Sequence, residues 1–321
     1  MDVFKTTILN MSNKIQKINL NHSFIFFLFC NIFSFIVFKF SSFNISSLIC
    51  FFLVLIIGVS HGSLDHEKGR KLFKIFNINS ISIFYISYIA ISILVVAIWI
   101  FIPSISLIIF LLVASYHFGK EDTQFLTSKV SIFNQILFFF KGLLIILAPM
   151  YFNFDDTVSI FKLILVDNEN FYLTLDFIES NKILPVLIVL STLSSIFLFL
   201  KGFNLNKFSI FLDYFSILIL NYYLSPLVAF TMYFCFLHSV RHSMSLIYEI
   251  DNQDFFNGIK IFFKKAIPLT ILTGIFCLIG LYSLSNTYNL DSSILKIIFI
   301  GLASLTFPHI LLEYFLEKYE K

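Results

Sequence analysis

Six of the seven histidines lie in four short motifs separated by long apolar segments. In chain order the motifs are SHGSLDH with His61 and His66, SYHFGKED with His117, FLHSVRHS with His238 and His242, and FPHILLE with His309. Residues four apart project from one helix face, about 6 Å apart at Cβ, so His238 and His242 can reach one ion. The sequence therefore predicts a metal site assembled from several of these motifs.

We expect four of these histidines to bind the metal. His61 ends an apolar run, whereas His66 follows in a basic stretch, and five residues of helix turn the two side chains about 140° apart. His117 also ends an apolar run. Imidazoles without an obligatory thiolate suit Fe, Zn or Cu, and chemistry on O2 favours Fe(2+). The predicted metal ligands are His61, His117, His238 and His242.

Carboxylates occur next to these motifs. Ligating histidines commonly donate their second N–H to such groups, so these acids are candidates for orienting the ligands, although each could instead be an ordinary charged group at a helix end. Arg241 also needs an anionic partner, and we expect Asp213 to be that partner. The near-site candidates are Asp65, His66, Glu121, Asp122, Asp213, Arg241, His309 and Glu313, and the candidates for lining a substrate cavity are Tyr116, Phe118, Tyr233, Phe234 and Phe236.

The composition places these motifs in a membrane protein. The chain has 321 residues, 58% of them hydrophobic and 13% charged, with a mean hydropathy of +0.91. Soluble domains are roughly 45–50% apolar. Apolar segments of about 17 to 25 residues cross a bilayer as helices, because the backbone must satisfy its own hydrogen bonds in hydrocarbon. We therefore predict one all-α integral-membrane domain over residues 1–321, a polytopic bundle of about eight to ten transmembrane helices.

Charge predicts how the bundle is oriented. Sixteen lysines and arginines flank one set of helix ends and three flank the other, which by the positive-inside rule indicates cytoplasmic N- and C-termini in the cell (inner) membrane. Residues 152–182 then form a long extracytoplasmic loop that caps the outer face, and the catalytic membrane portion covers about 46–315. The predicted spans lie near 23–40, 46–62, 79–101, 104–119, 131–151, 183–201, 208–224, 226–248, 266–284 and 294–315.

With this topology all six motif histidines share one layer of the membrane, near the cytoplasmic ends of four spans. Ionisable residues in spans are costly and mark functional sites. The net charge of +3 reflects orientation in the membrane, so we expect no nucleic-acid partner. The four cysteines stand alone in apolar segments, which indicates buried free thiols.

The ordered motifs GVSHGSLDH, SYHFGKED, LHSVRH and FPH resemble those of the Brp/Blh family, the bacteriorhodopsin-related-protein-like β-carotene 15,15'-dioxygenases, over about residues 50–315. The resemblance implies an enzyme that uses non-haem iron and O2 to cleave the central double bond of β-carotene into two molecules of all-trans-retinal. It assigns the metal-ligand roles to His61, His117, His238 and His242. Ser60 stands where the family often has proline. The product suggests a microbial rhodopsin as a client.

Three other functions compete with this interpretation. A di-iron desaturase needs about eight histidines in HxxxH and HxxHH boxes, whereas this chain has seven histidines and one HxxxH. A transporter with a histidine relay would carry polar residues across the whole depth of the membrane, and the outer half here is nearly bare of them. A non-catalytic accessory protein, for carotenoid or retinal delivery or for rhodopsin assembly, stays open as the alternative.

Overall fold

The computed structural model describes residues 2–40, 45–78, 80–123, 126, 131–201 and 205–319, without the side chains of residues 2–13 and of His61. Over these ranges the chain is almost entirely helical and contains no β-strand. The predicted all-α class is therefore confirmed. The helices are α1 (Asp2–Lys39), α2 (Ser47–Leu53), α3 (Asp65–Ile75), α4 (Ile81–Phe101), α5 (Pro103–Glu121), α6 (Ile132–Phe152), α7 (Phe154–Leu163), α8 (Glu169–Ser180), α9 (Ile183–Leu200), α10 (Ser209–Tyr223), α11 (Pro226–Met232), α12 (Val240–Ile250), α13 (Phe255–Ser285) and α14 (Leu290–Tyr319).

Eight helical segments of the described chain are long and apolar enough to cross a membrane, which confirms a multi-pass architecture. The predicted span 208–224 corresponds to the shorter helix α10. The predicted span 226–248 corresponds to α11 and α12, which are separated by a π-helical turn (Tyr233–Ser239). Pro103 and Pro226 begin α5 and α11, as suits a residue without a backbone N–H at the first helical position. The tightly joined windows around these prolines are therefore separate helices.

The helical backbone of the second apolar segment continues beyond the point at which the sequence predicted it to end. We expected it to end at His61 and to leave His66 in a basic loop. Instead, the backbone passes through a π-helical turn (Val54–Gly58) and a 3-10 turn (Val59–Leu64) directly into α3. One basic residue of α3, Lys68, has a partner within the protein, since it pairs with Glu313 of α14 at 2.7 Å. The loop assignment of His66 was therefore wrong.

Residues 152–182 fold into α7 and α8 against one end of the bundle. The Trp99 indole at the end of α4 donates to the Ile164 carbonyl at 3.0 Å, and Lys296 of α14 donates to the Leu163 carbonyl at 2.6 Å. Ile164 and Val166 are fully buried. The segment thus caps this end of the bundle, and its extracytoplasmic location stays a prediction.

The segments predicted to be cytoplasmic meet at the other end of the bundle. Lys120 at the end of α5 pairs with Glu317 at the end of α14, and Asn206 before α10 donates to Gln16 of α1 at 3.3 Å. Which side of the membrane this end faces stays a prediction. The four cysteines are free thiols. Cys30, Cys50 and Cys235 are buried as predicted, whereas Cys277 is half-buried.

Helices α5 and α6 cross in backbone contact through two glycines. A Cβ added to Gly119 would lie 1.8 Å from the Phe138 carbonyl oxygen, and one added to Gly142 would lie 1.9 Å from the Ser115 carbonyl oxygen. Small residues at such crossings allow membrane helices to approach closely. This contact fixes the position of the C-terminal part of α5, which carries His117 and two acids.

We expect Gly142→Ala to weaken the α5–α6 crossing, because its methyl group cannot fit without backbone movement. Overpacking of this kind costs about 1–3 kcal/mol or more. Gly301→Ala is the matched control, since nothing lies within 4 Å of a Cβ at that position. Thermal unfolding in detergent, followed by size-exclusion chromatography, should show a lowered transition for Gly142→Ala alone. Equal transitions for the two variants would contradict the packing described here.

Candidate metal centre

Four imidazoles from three helical segments meet inside the bundle, and we call them the histidine quartet. His117 lies on α5, His238 in the π-helical turn, His242 on α12 and His309 on α14. The ring centroid of His117 lies 5.4 Å from those of both His238 and His309, and the centroid of His309 lies 5.8 Å from that of His242. All four side chains are between 1% and 8% exposed. The structure thus brings together histidines separated by up to 192 positions in sequence.

Two π-helical turns pack against each other beside the quartet. A Cβ at Gly58, in the first turn, would lie 2.5 Å from the Phe234 ring in the second, so the two turns are in close contact. Ser239 donates to the Gly58 carbonyl at 3.3 Å. Such turns are rare and frequently occur at functional sites. Here the second turn carries His238.

Carboxylates lie beside the quartet. Three imidazoles present Nδ1 to a carboxylate oxygen at hydrogen-bond distance, and the pairs are His238–Asp122 (3.2 Å), His242–Glu121 (3.1 Å) and His309–Asp65 (2.8 Å). An Nδ1–H that donates to a carboxylate leaves the lone pair of a neutral imidazole on Nε2, where a metal can bind. The pairings therefore suit histidines that bind a cation through Nε2.

Glu313 adds a fourth carboxylate close to the quartet. Its Oε2 lies 3.8 Å from His117 Nδ1, and its Oε1 lies 3.5 Å from His309 Nε2. Two groups of three side chains have potential metal-ligand atoms within 4.8 Å of one another. One group is His117, His309 and Glu313, and the other is Glu121, His242 and Glu313. Imidazole nitrogens with carboxylate oxygens form a donor set that suits iron or zinc. The residues present thus fit a first-row transition metal.

Arg241 joins the quartet to two further helices, α10 and α1. Its guanidinium donates to both carboxylate oxygens of Asp213 on α10, at 2.7 and 3.0 Å. It also donates to Ser23 of α1 at 2.7 Å and to the Asp122 carbonyl at 3.2 Å. The expected pairing of Arg241 with Asp213 is confirmed. Because this ion pair is fully buried, its geometry fixes α12 relative to α1 and α10.

Aromatic rings form an apolar wall around His238. The Phe118 centroid lies 4.7 Å from the imidazole centroid, and Phe234 stacks on it at 5.9 Å. Tyr233 also stacks on His238, at 6.3 Å, and its hydroxyl donates to Asp122 at 2.6 Å. Tyr233 therefore helps to hold the carboxylate that pairs with His238.

The other two aromatic candidates are Phe236 and Tyr116. Phe236 packs against Phe29 of α1 at 6.0 Å, and its carbonyl is 2.9 Å from His22 Nε2. Tyr116 is half-buried on α5. Three of the five aromatic candidates, Phe118, Tyr233 and Phe234, thus adjoin a quartet histidine.

The two histidines of the first motif differ from the quartet. The side chain of His61 lies outside the described residues, although its backbone belongs to the 3-10 turn. His66 Nδ1 lies 3.0 Å from the Ser63 carbonyl, and its Nε2 lies 3.4 Å from Glu67. His66 therefore contacts its own segment rather than a quartet imidazole.

Tyr88 of α4 is a near-site residue that sequence reasoning missed. Its hydroxyl donates to Asp65 Oδ2 at 2.9 Å and also lies 3.3 Å from the Leu305 carbonyl. A tyrosine in an apolar helix, in a chain with 14 tyrosines, gives no signal in sequence. The partner of Asp65 becomes visible only when α3 and α4 pack together.

Comparison with known proteins decides the family. The profile of the family described as beta-carotene 15,15'-dioxygenase matches residues 52–317. The chain belongs to this family. A curated relative of that name, from an uncultured marine bacterium 66A03, is 26% identical over 275 residues, which cover 83% of this chain and 92% of the relative. No solved structure matches the chain significantly. All four members of the quartet lie within the segment that matches the beta-carotene 15,15'-dioxygenase family.

We expect Asp213→Asn to destabilise the protein strongly, because it leaves the buried Arg241 guanidinium without its counter-charge. Removing one partner of a buried pair costs about 3–5 kcal/mol. Thermal unfolding and folded yield in detergent measure this loss. The control is Lys265→Met, which removes an ion pair whose side chains are 42% and 33% exposed and which is worth about 0–1 kcal/mol. A wild-type transition for Asp213→Asn would contradict the assigned role of the pair.

Proposed function

We propose that this member of the beta-carotene 15,15'-dioxygenase family uses Fe(2+) and O2 to cleave the central 15,15' double bond of β-carotene, giving two molecules of all-trans-retinal. The observation that supports this most is the buried histidine quartet, which carries carboxylates at Nδ1 inside an apolar helical bundle. The ligand set that we propose contains His117, His238 and His242, together with His61.

The protein residues would fix the geometry of the site. Asp122 and Glu121 are consecutive at the end of α5, and they accept hydrogen bonds from His238 and His242 respectively. One helix end therefore orients both imidazoles of the HxxxH pair. Carboxylates in this position hold the ring orientation and raise the basicity of the ligating nitrogen. Held by the proposed ligands, iron(II) would supply the activation of O2.

The substrate suits an active site within a bilayer. β-Carotene is an apolar rod about as long as a bilayer is thick, so it partitions into lipid and can enter from the side. Phe118 and Phe234 next to His238 offer an apolar surface to a polyene, and they keep water from the site. In the overall reaction the central C=C bond breaks and each carbon gains a C=O bond, so one molecule of O2 balances the two aldehydes.

The product and the fold lead to two further proposals. Retinal released into the membrane would serve a client in the same bilayer, for which we propose a microbial rhodopsin. We also propose a location in the cell (inner) membrane, and the charge distribution supports the placement of both termini in the cytoplasm. The competing function is that of a non-catalytic accessory protein for carotenoid or retinal delivery. Such a protein would not cleave the carotenoid.

Expression in bacteria that accumulate β-carotene tests the proposed cleavage. Cells with the wild-type protein should fade from orange and contain all-trans-retinal, measured by chromatography of extracts. His238→Ala and His242→Ala should keep the carotene intact, because each removes a proposed ligand. Immunoblots of membrane fractions establish equal expression.

The same experiment separates the two functions. A wild-type protein that is present in the membrane and leaves the carotene intact would contradict cleavage and favour the accessory role. Appearance of longer aldehydes rather than retinal would instead contradict cleavage at the central bond.

Metal removal tests the identity of the ion. Purified protein should contain iron by elemental analysis, and a chelator should abolish retinal formation. Because the donor set also suits zinc, reconstitution is carried out with Fe(2+) and Zn(2+) in parallel. We expect activity to return with Fe(2+) alone. Restoration by Zn(2+), or full activity of protein without metal, would contradict the iron assignment.

A further inference from the structure

We propose that His309 is a ligand of the same metal ion and that Asp65 and Tyr88 position it. This inference extends the ligand set of the proposed function, on whose metal site it rests. Sequence reasoning left His309 among the near-site residues, because it stands alone in FPHILLE without a second histidine at helical spacing. The structure places it within the quartet.

The position of His309 matches that of a ligand. The centroid of its ring lies 5.4 Å from that of His117 and 5.8 Å from that of His242. Metal–nitrogen distances of about 2.0–2.1 Å place the centroids of two imidazoles on one ion roughly 5 Å apart. The third such distance, from His117 to His238, is also 5.4 Å. The distances from His309 to its two neighbours are thus close to the distance between two proposed ligands, His117 and His238.

Its orientation also suits a ligand. Both oxygens of Asp65 lie close to His309 Nδ1, at 2.9 and 2.8 Å, which directs the opposite ring nitrogen, Nε2, away from the carboxylate. Asp65 is itself held by the Tyr88 hydroxyl at 2.9 Å. This chain of contacts crosses three helices, from α4 through α3 to α14. Carboxylate–histidine pairs fixed in this way are typical of metal sites.

A purely structural histidine is the competing explanation. His309 Nε2 lies 3.5 Å from Glu313 Oε1, so the imidazole could instead bridge the Asp65 and Glu313 carboxylates. That role predicts a loss of stability on substitution without a change in the metal environment. Measurements on the metal itself therefore distinguish a ligand from a bridge.

The test measures the metal affinity of purified protein. Retinal formation is measured separately on the same variants. We expect His309→Ala to lower metal affinity by at least about 100-fold in a chelator competition, and to change the visible absorption spectrum of the Co(2+)-substituted protein. His66→Ala is the matched control, since His66 contacts Ser63 and Glu67 rather than the quartet. Folded His309→Ala with wild-type affinity and an unchanged cobalt spectrum would overturn the proposal.

Tyr88→Phe provides a second, milder variant in case His309→Ala fails to fold. It removes one hydroxyl from Asp65 and keeps the ring that packs between α3 and α4. Loss of a partner beyond the direct ligands typically lowers metal affinity about 10- to 100-fold. We expect a loss in that range, and a wild-type affinity for Tyr88→Phe would count against the positioning chain.

These readouts separate the inference from the proposed function. Wild-type protein that binds metal through His309 but forms no retinal would contradict β-carotene cleavage and leave the inference standing. Retinal formation by a His309→Ala protein with unchanged metal affinity would do the reverse. Wild-type protein with no affinity for iron, zinc or cobalt would contradict both.

Discussion

A polar group buried among apolar helices must find its partner within the protein, because hydrocarbon offers neither charge nor hydrogen bonds. The buried residue Asp122 shows how this chain meets that constraint. Its carboxylate lies 3.2 Å from His238 Nδ1 and accepts a hydrogen bond from the Tyr233 hydroxyl, while its carbonyl accepts one from Arg241. Arg241 in turn binds Asp213 through both oxygens. A carboxylate of the candidate metal centre, a histidine and a buried ion pair are therefore parts of one network.

Helix packing places the polar partners of the histidines. The residues that pair with the HxxxH histidines come from the end of α5, and the crossing of α5 on α6 places that end through direct backbone contact at Gly119 and Gly142. From a different helix, Asp65 at the start of α3 lies at hydrogen-bond distance from His309. The π-helical and 3-10 turns before α3, and the π-helical turn before α12, lie next to Asp65 and carry His238, respectively. Departures from regular α-helix thus occur beside the candidate metal centre.

Much of the fold followed from hydrophobicity alone. Segment length and apolar content predicted the helical class and the multi-pass architecture, because a spanning segment must satisfy its backbone internally. The helical continuation from Val59 into α3 was not predicted. Its charged residues resemble a loop in sequence, yet Lys68 has a partner in Glu313 of α14. A partner 245 positions away leaves no trace in a local window.

The sequence by itself determined which chemical groups this protein has, and it predicted that the motif histidines share one depth of the bundle. Apolar segments and flanking charges order the helices, and histidine motifs near their ends imply a common layer. Only the tertiary structure decided which groups meet. It placed His309 among the quartet, turned His66 toward its own segment, and joined Tyr88 to Asp65. The reason is physical: depth depends on position along one helix, whereas contact depends on the rotation and crossing of several helices, which are set by side-chain packing between distant segments.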